Sequence, residues 1–401
     1  MNGLEDVSTE KDADQESLNE ESRHSVFRHV FRATVALELG LGLQRGIFNN
    51  FVVEVLGVQP AQLGFVQGIR EVPGLLTAPL AVVSGYFREN VWAGICILVA
   101  SLGLLLHAVT FSFPMLVVAT LVLSTGFHLF YPVQQSIIVK SSLPKERATR
   151  MGQLNSGAAA ASLVSLLAVM AITRLGGATK YGLLHLMASG IALVGGIAVL
   201  ARRMPGIRAG RSAMNYNPRY MSYYVMTLLG GVRRHVTGTF GGYLLVEVFK
   251  TSVSTMVLLT AVSSLVAIFT RPVLGKIIDR WGEQRSLVVN YSIVACLFMS
   301  YAFLKSPISL YVVYILDNGL VGFDVAITTH LGKIAPKGML SSAYAMGSTI
   351  NHITGVSVPI LGGFLWDRAG AATVFFFGAA MAVASMMYSM RLSRVERALA
   401  N

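Results

Sequence analysis

Twelve apolar segments, each long enough to cross a lipid bilayer, constrain this sequence more than any other feature. A helix needs about 20 residues to cross roughly 30 Å of hydrocarbon. An isolated strand would leave backbone groups unpaired in lipid, so each segment must be helical. We predict an all-α integral membrane protein with twelve transmembrane helices, at 30–56, 61–87, 91–111, 114–139, 152–174, 180–201, 220–248, 252–278, 286–304, 307–331, 341–366 and 371–391.

The composition excludes a water-soluble protein of this size. Charged residues make up 13% of the 401 residues and hydrophobic residues 54%, whereas a soluble domain carries roughly 25% charged residues. Eight of the 20 carboxylates lie in the first 21 residues, so few remain to solvate the rest of the chain. The 39 glycines suit helices that pack closely in lipid.

Several other classes of protein are excluded on the same grounds. The two cysteines, Cys96 and Cys296, lie in apolar segments and exclude a disulfide framework or a cysteine-based metal site. The net charge of +12 comes from basic residues scattered singly, so we expect no nucleic-acid partner. No cofactor and no metal site are predicted. The acidic N-terminus is unlike a signal peptide.

Lysine and arginine are distributed unequally between the two sides of the predicted membrane. Most lie in the N-terminal tail, the even-numbered loops and the C-terminus. The odd-numbered loops carry Arg174, Lys180, Lys250, Lys305 and Arg368. Because cytoplasmic loops are rich in these residues, both termini are predicted to be cytoplasmic. We expect a multi-pass protein of the cell (inner or plasma) membrane.

The chain divides into two similar halves. The segment 202–219 is basic and contains glycine and proline, as a linker does. The sequence TAPLAVVSGYFRE at 77–89 matches TRPVLGKIIDRWGE at 270–283, with Pro79 opposite Pro272. Further matches in the same order indicate a duplication. We predict an acidic disordered cytoplasmic tail at 1–27, a six-helix bundle at 28–201, the basic linker at 202–219, a second six-helix bundle at 220–391 and a cytoplasmic tail at 392–401.

The loop between the eighth and ninth segments carries the most specific motif. It reads Gly275-Lys276-Ile277-Ile278-Asp279-Arg280-Trp281-Gly282, followed by Arg285. This resembles the cytoplasmic loop signature G-x-x-x-D-R-x-G-x-R of the major facilitator superfamily of secondary transporters, with the last basic residue displaced by one position. The resemblance extends over residues 28 to 395.

The resemblance implies two six-helix pseudo-repeats and a conformational latch. In the superfamily the loop aspartate caps a neighbouring helix and pairs with an arginine, and a carboxylate at a helix N-terminus is favoured by the helix dipole. The matching latch residues are Gly275, Asp279, Arg280, Gly282 and Arg285. The first half reads Gly85-Tyr86-Phe87-Arg88-Glu89 here and lacks the aspartate. The sequence is closer to a bacterial subgroup with Arg70-Glu71-Val72-Pro73-Gly74 and Asn351-His352, which implies no particular substrate.

Polar side chains recur at membrane depth, where ionisable groups are costly and usually face the bundle interior. The resemblance implies a cavity lined by helices one, four, seven and ten, and most of these side chains lie on those helices or on helices two and eleven. We predict substrate binding by Arg45, Asn49, Arg70, His128, Gln135, Arg233, Arg234, Asn351 and His352. We predict proton coupling by one or more of Glu38, Glu71, Asp317 and Asp324, with Asp317 or Asp324 as the proton site.

The count of charges leaves the sign of the substrate open, because four of these residues are arginines and four are carboxylates. Arginine keeps its proton and binds carboxylate or phosphate with two hydrogen bonds. Carboxylates and histidines can change protonation. This division favours an anionic or zwitterionic solute bound by arginine, with a proton carried by a carboxylate or histidine. Structural pairing, such as Glu38 with Arg45, is the alternative role.

The predicted function is secondary active transport of a small organic solute by alternating access, with the halves rocking about a mid-membrane site. The expected partners are the solute, the bilayer and a proton or other ion gradient, and we expect a monomer. The chain has no H-E-x-x-H, G-x-S-x-G or phosphate-loop motif, so we predict no enzyme. Two alternatives stay open: a multidrug or metabolite efflux antiporter, and a non-transporting sensor or scaffold on the same fold.

Overall fold

Helices account for most of the described chain. The computed structural model describes residues 20–77, 86–143, 146–175, 180–201, 216–319, 325–335 and 340–392. The first half contains α1 (Glu20–Glu54), α2 (Pro60–Leu75), α3 (Glu89–Ala108), α4 (Phe113–Lys140), α5 (Arg147–Leu175) and α6 (Tyr181–Leu200).

The second half repeats this arrangement with more interruptions. A short 3₁₀ turn at Pro218–Tyr220 leads into α7, which comprises Met221–Val236, a π-helical turn Thr237–Gly241 and Gly242–Glu247. A continuous helical segment, Val253–Phe303, forms α8 and α9, which meet at Gly282. The remaining helices are α10 (Pro307–Gly319 and Val325–Ile334), α11 (Leu340–Ala369) and α12 (Ala371–Met390).

The helix ends follow from local sequence signals. Pro60 begins α2, where a proline loses no helical hydrogen bond. The Ser252 hydroxyl caps α8 by accepting a hydrogen bond from the Thr255 backbone N–H at 3.3 Å. Gly282 separates α8 from α9 with a φ of 76°, a left-handed conformation that favours glycine. The twelve predicted helices are therefore confirmed, in two sets of six.

Length and apolar composition alone identify six helical segments of the described chain as able to span a membrane. They are Glu89–Ala108, Phe113–Lys140, Thr149–Arg174, Tyr181–Leu200, Val253–Phe303 and Ala371–Met390. Val253–Phe303 contains two of the predicted spans. The remaining helices are shorter in the described residues or carry the polar side chains of the candidate site.

The first helix begins earlier than the sequence indicates. The predicted disordered tail ends at residue 27, whereas α1 starts at Glu20. The added turns carry apolar side chains that pack, since Val26 is buried and the Arg150 guanidinium lies 5.2 Å from the centre of the Phe27 ring. Arg150 also donates to the Arg23 carbonyl at 3.2 Å. These contacts with α5 hold the segment in a helical conformation.

The two halves meet at one end of the bundle, where α1 ends and α2 begins. We call this the sealed end; the opposite end, where α1 begins and α8 meets α9, is the terminal end. Three hydrogen bonds join the halves at the sealed end: Asn50 Nδ2 to the Thr251 carbonyl (2.9 Å), Tyr243 OH to the Val58 carbonyl (2.8 Å) and the Ala61 N–H to Asp367 Oδ2 (3.2 Å).

Close packing of α2 against α11 extends the contact between the halves toward the middle of the bundle. Gly64 of α2 faces Pro359 and Gly363 of α11, and a Cβ at Gly64 would collide with the Pro359 carbonyl. Small residues permit this approach of two backbones, as in other helix pairs in membranes. The α2–α11 contact thus brings Glu71 of one half close to His352 of the other.

Candidate functional site

The centre of the α2–α11 contact holds a carboxylate and two histidines, which we call the junction cluster: Glu71, His128 and His352. Oε2 of Glu71 lies 2.9 Å from His352 Nδ1 and 3.7 Å from His128 Nε2. The two imidazole rings meet edge to face, with their centres 5.1 Å apart. One carboxylate oxygen is therefore shared by histidines from opposite halves of the protein.

Glycine and proline in α2 shape this cluster. Pro73 lies inside the helix, two residues before α2 ends at Leu75. Gly74 follows it, and a Cβ there would collide with the His352 ring. The motif that reads Arg70-Glu71-Val72-Pro73-Gly74 thus supplies the carboxylate and leaves room for its partner from α11.

Ser124 of α4 fixes the orientation of His128. Its hydroxyl donates to the Arg70 carbonyl and lies 2.8 Å from His128 Nδ1. His128 Nδ1 also lies 3.1 Å from the Ser124 carbonyl. Both neighbours of Nδ1 act as acceptors, so Nδ1 carries a proton and Nε2 faces Glu71.

Cationic side chains from both halves surround the junction cluster. Arg70 Nη2 lies 3.4 Å from Glu71 Oε1, the oxygen that the histidines do not share. Arg234 Nη1 donates to Asn351 Oδ1 at 2.9 Å. His235 lies within electrostatic range of Glu71, Arg70 and Arg234. Five of the predicted substrate-binding residues are thus brought to one place: Arg70, His128, Arg234, Asn351 and His352.

A second cluster lies within the first half, between α1 and α4. Arg45 Nη1 donates to Glu38 Oε2 at 3.2 Å, and the Tyr131 hydroxyl donates to Glu38 Oε1 at 2.5 Å. The structural pairing of Glu38 with Arg45 is therefore present. Tyr131 is also within hydrogen-bonding reach of Arg45, so three side chains form one network.

The third cluster is a buried pair within the second half. Arg233 Nη2 lies 3.3 Å from both the Asp317 carbonyl oxygen and Oδ1. The Asp317 side chain is fully buried, and the hydroxyl groups of Thr237 and Tyr301 lie beside its carboxyl group. Arg233 therefore holds α7 to α10 and lies apart from the Arg234 side chain that follows it.

The other predicted residues occupy separate positions. Asn49 faces Gly242 of α7, where a Cβ would lie 2.5 Å from Asn49 Nδ2. Gln135 is exposed, whereas its neighbour Gln134 is buried and donates to Thr34 Oγ1 at 2.6 Å. Asp324 lies outside the described residues.

The predicted latch residues lie around the turn between α8 and α9. Asp279, Arg280 and Arg285 are exposed there, while Gly275 and Gly282 are half-buried. An ion pair of this turn joins Glu283 to Lys333 of α10, with Oε2 and Nζ 2.7 Å apart. In the matching segment of the first half, Glu89 at the start of α3 is buried and accepts from Lys140 at 2.8 Å and from Ser136 at 2.7 Å.

The arginines and carboxylates at membrane depth differ in how far their side chains are exposed. The side chains of Arg45 and Arg70 are 51% and 42% exposed, although both lie in the interior of their helices, while those of Glu38 and Glu71 are each 9% exposed. Arg234 is also exposed. The arginine side chains are therefore accessible, whereas their carboxylate partners are buried.

Three further residues of the site carry no strong signal in the sequence. Tyr131 and Ser124 are of types that usually pack or bond to their own helix, and their roles depend on partners from α1 and α2. His235 stands in the run Arg233-Arg234-His235, but the periodicity alone does not tell which member faces the junction. The spacing of Ser124, His128 and Tyr131 along one face of α4 is the single available sequence signal.

Comparison with known proteins identifies the family of the chain. The family model of the Major Facilitator Superfamily matches residues 31–329. The chain belongs to the Major Facilitator Superfamily. It is accordingly a multi-pass membrane protein, as the apolar helices indicate. No curated protein sequence matches the chain significantly.

Solved transporter structures share the fold of this superfamily member. The nucleoside transporter NupG has a TM-score of 0.75 and 14% identity over 92% of this chain and 98% of that chain. The peptide transporter POT has a TM-score of 0.72 and 13% identity, over 93% and 95% respectively. A bacterial homologue of the human lysosomal transporter Spinster, in an inward-facing and occupied conformation, has a TM-score of 0.71 and 13% identity, over 96% and 98%. These likenesses establish the twelve-helix fold.

Proposed function

We propose that the protein is a secondary active transporter of a small organic solute that carries a carboxylate or phosphate group, either anionic or zwitterionic. The observation that carries this proposal is the accessibility of the charges at membrane depth. Arg45 and Arg234 are exposed and Arg70 is half-buried, whereas Glu38 and Glu71 are buried. Charged side chains in the interior of membrane helices occur where they line an aqueous cavity, so the cavity that a solute enters is lined by cations.

Arginine is suited to this role because its planar guanidinium binds a carboxylate or phosphate with two parallel hydrogen bonds. Arg70 belongs to the first half and Arg234 to the second, and both lie within electrostatic range of His235. An anion held between them would contact both halves at once. Alternating access requires such a site, because the halves rock about the bound solute.

A thermal-shift screen of the purified protein tests the substrate class. The panel should contain organic acids, organic phosphates, amino acids and peptides, with uncharged sugars and nucleosides for contrast. We expect a carboxylate or phosphate to stabilise the protein. The affinity for that ligand should fall at least about tenfold in Arg234→Gln, which is the size of effect produced by losing one charged hydrogen bond. Arg174→Gln, at an exposed arginine of α5 far along the helix, is the matched control. Stabilisation by an uncharged solute that is unaffected by Arg234→Gln or Arg45→Gln would show the proposal to be wrong.

For proton coupling we propose Glu71, one of the four predicted carboxylates. Its hydrogen bond with His352 crosses between the halves, so protonation of Glu71 would weaken a contact that holds the two halves together. Asp317 is paired with Arg233 within one half, where loss of the charge would weaken a contact inside the second bundle. The position of Glu71 therefore links a proton to the conformational change more directly.

Transport by proteoliposomes separates these candidates. We expect Glu71→Gln to abolish accumulation driven by a pH gradient while leaving solute exchange across the membrane intact, because the mutant side chain cannot cycle its proton. Glu247→Gln, at the sealed end, should behave like the wild type. Full gradient-driven accumulation by Glu71→Gln together with its loss in Asp317→Asn would assign the coupling to Asp317 instead.

We further propose that both termini are cytoplasmic and that the sealed end faces the opposite side. The basic residues of the described terminal end, such as Lys140, Arg147 and Arg391, support this orientation. Labelling of single cysteines in intact cells with a membrane-impermeant reagent checks it. A cysteine at residue 57 should react from outside, whereas one at residue 284 should be protected.

A further inference from the structure

The junction cluster combines side chains that are common metal ligands, and the proposed transport function does not by itself require this combination. One carboxylate oxygen and two imidazole nitrogens, contributed by α2, α4 and α11, all lie within 4.8 Å of one another. Two histidines and one glutamate form a known ligand set for catalytic zinc. The sequence predicts no metal site because these residues are separated by up to 281 positions.

The orientation of His128 directs a ring nitrogen at this space. Nδ1 lies 3.1 Å from the Ser124 carbonyl oxygen and 2.8 Å from its hydroxyl, so Nε2 faces the Glu71 carboxylate at 3.7 Å. At that separation Nε2 and Oε2 make no direct hydrogen bond, and an ion beside them would contact both atoms.

The two distances to Glu71 Oε2 fit a tetrahedral ion with small adjustments. With metal–nitrogen and metal–oxygen bonds of about 2.1 Å, neighbouring ligand atoms of a tetrahedral zinc site lie about 3.4 Å apart. The separation of His128 Nε2 from Glu71 Oε2 is 3.7 Å, and that of His352 Nδ1 from Glu71 Oε2 is 2.9 Å. Each differs from the ideal value by a few tenths of an ångström, which rotation of the side chains can supply.

The surroundings provide an outer shell and a further nitrogen. The hydrogen bond from His128 Nδ1 to Ser124 is the kind of contact that orients a metal-bound imidazole. His235 lies beside the cluster: a Cβ on Gly355 would be 2.7 Å from Glu71 Cγ and 2.9 Å from His235 Cε1. Nε2 of His235 is buried without a hydrogen-bond partner among the described residues.

Arg70 opposes cation binding but does not block the site. Its guanidinium contacts Glu71 Oε1, which leaves Oε2 to the two histidines. The side chain is 42% exposed, so water screens its charge and the long chain can move away. The site should therefore favour a divalent transition-metal ion that binds nitrogen well over Mg²⁺ or Ca²⁺, which prefer oxygen ligands.

We propose that Glu71, His128 and His352 bind a divalent transition-metal ion of the Zn²⁺ class, with water or His235 as the fourth ligand. Because His352 belongs to the second half and the other two ligands to the first, the ion ties the halves together across the junction. It thereby stabilises the conformation in which α2 packs against α11. This goes beyond the proposed transport function, since the ion is bound by the protein without any solute.

Cobalt absorbance provides the test, because tetrahedral Co²⁺ has visible bands and Zn²⁺ displaces it. The full-length protein is purified in detergent, freed of any histidine tag and titrated with Co²⁺, then with Zn²⁺. We expect one saturable tetrahedral site in the wild type and its loss in His128→Ala and in His352→Ala. Ser124→Ala should weaken binding about tenfold, as removal of an outer-shell partner does. His24→Ala, which removes an exposed histidine of α1, should bind like the wild type.

Two outcomes would overturn the proposal: no saturable Co²⁺ or Zn²⁺ binding in the wild type, or binding that survives both histidine substitutions. His352→Gln keeps a hydrogen-bonding side chain beside Glu71 and covers the case in which the alanine variant does not fold. Metal binding is measured without transport, so its failure and a failure of the transport function are told apart.

Discussion

The junction cluster and the Arg233–Asp317 pair are both charged groups at membrane depth, but they differ in what they connect. Glu71 and His352 belong to opposite halves, and their contact lies at the interface between α2 and α11. Arg233 and Asp317 join α7 to α10 within one half, and the Asp317 side chain is fully buried. If the halves rock as bodies, the first contact must break in each cycle while the second persists. The difference separates residues that control conformation from residues that hold a bundle together.

Removal of Asp317 should have the largest effect, and it tests whether the Arg233–Asp317 pair stabilises the second half. Asp317→Ala removes the carboxylate that faces the buried Arg233 guanidinium, so we expect the free energy of unfolding in detergent to fall by about 3–5 kcal/mol. The double variant Arg233→Met with Asp317→Leu should regain most of that loss, because it removes both charges. Unfolding by heat or denaturant, followed by circular dichroism, measures both. A loss below about 1 kcal/mol for Asp317→Ala would mean that the pair does not stabilise the second half.

A smaller effect is expected from crowding the contact between the halves. Gly64→Ala places a methyl group against the Pro359 carbonyl, and overpacking of this kind costs about 1–3 kcal/mol. Since the strain exists only when α2 packs on α11, it should shift the population away from the sealed conformation and leave each bundle folded. Faster alkylation of a cysteine at Ala61 measures the shift.

The matched control for this variant is Gly190→Ala. A Cβ at Gly190 in α6 meets no atom within 4 Å. The cysteine at position 61 should then be alkylated within about twofold of its rate in the protein that keeps Gly190, because a substitution of this kind changes stability by no more than about 0.5 kcal/mol. Equal rates for Gly64→Ala and Gly190→Ala would mean that the α2–α11 contact does not control access from the sealed end.

The smallest effect on stability is expected for an ion pair whose lysine is exposed to solvent. Glu283 and Lys333 lie 2.7 Å apart at the terminal end, and the lysine side chain is 65% exposed. Lys333→Ala should change stability by no more than about 1 kcal/mol, because water and salt screen such a pair. Denaturant unfolding at low and high salt checks this. A cost equal to that of Asp317→Ala would show that burial does not distinguish the two pairs.

The sequence predicts the fold well because each membrane helix carries its own signal in about 20 consecutive residues. It also predicts that charges lie at membrane depth, since their cost in lipid makes them conspicuous against apolar neighbours. The start of α1 is missed because Arg23 and Phe27 find their partner, Arg150, on α5, more than a hundred residues away.

The sequence predicts many of the residues of the site but does not predict how their side chains are arranged. Nothing local to Glu71, His128 or His352 indicates that the three share one carboxylate oxygen. The sign of the accessible charge depends on which side chain of each pair is buried. On α1, for example, the Arg45 side chain is exposed while that of its partner Glu38 is buried. Such facts arise from packing between helices, which periodicity along one helix does not contain.

A reversible crosslink at the sealed end tests most directly whether the halves separate there during transport. In a background with Cys96→Ser and Cys296→Ser, cysteines replace Ala61 and Asp367, whose backbone N–H and carboxylate lie 3.2 Å apart across the junction. Mass spectrometry verifies complete disulfide formation, and the single variant Ala61→Cys is the control. We predict that oxidation abolishes uptake of the anion identified by the thermal-shift screen, and that a reductant restores it. Undiminished uptake by fully crosslinked protein would contradict alternating access at this junction.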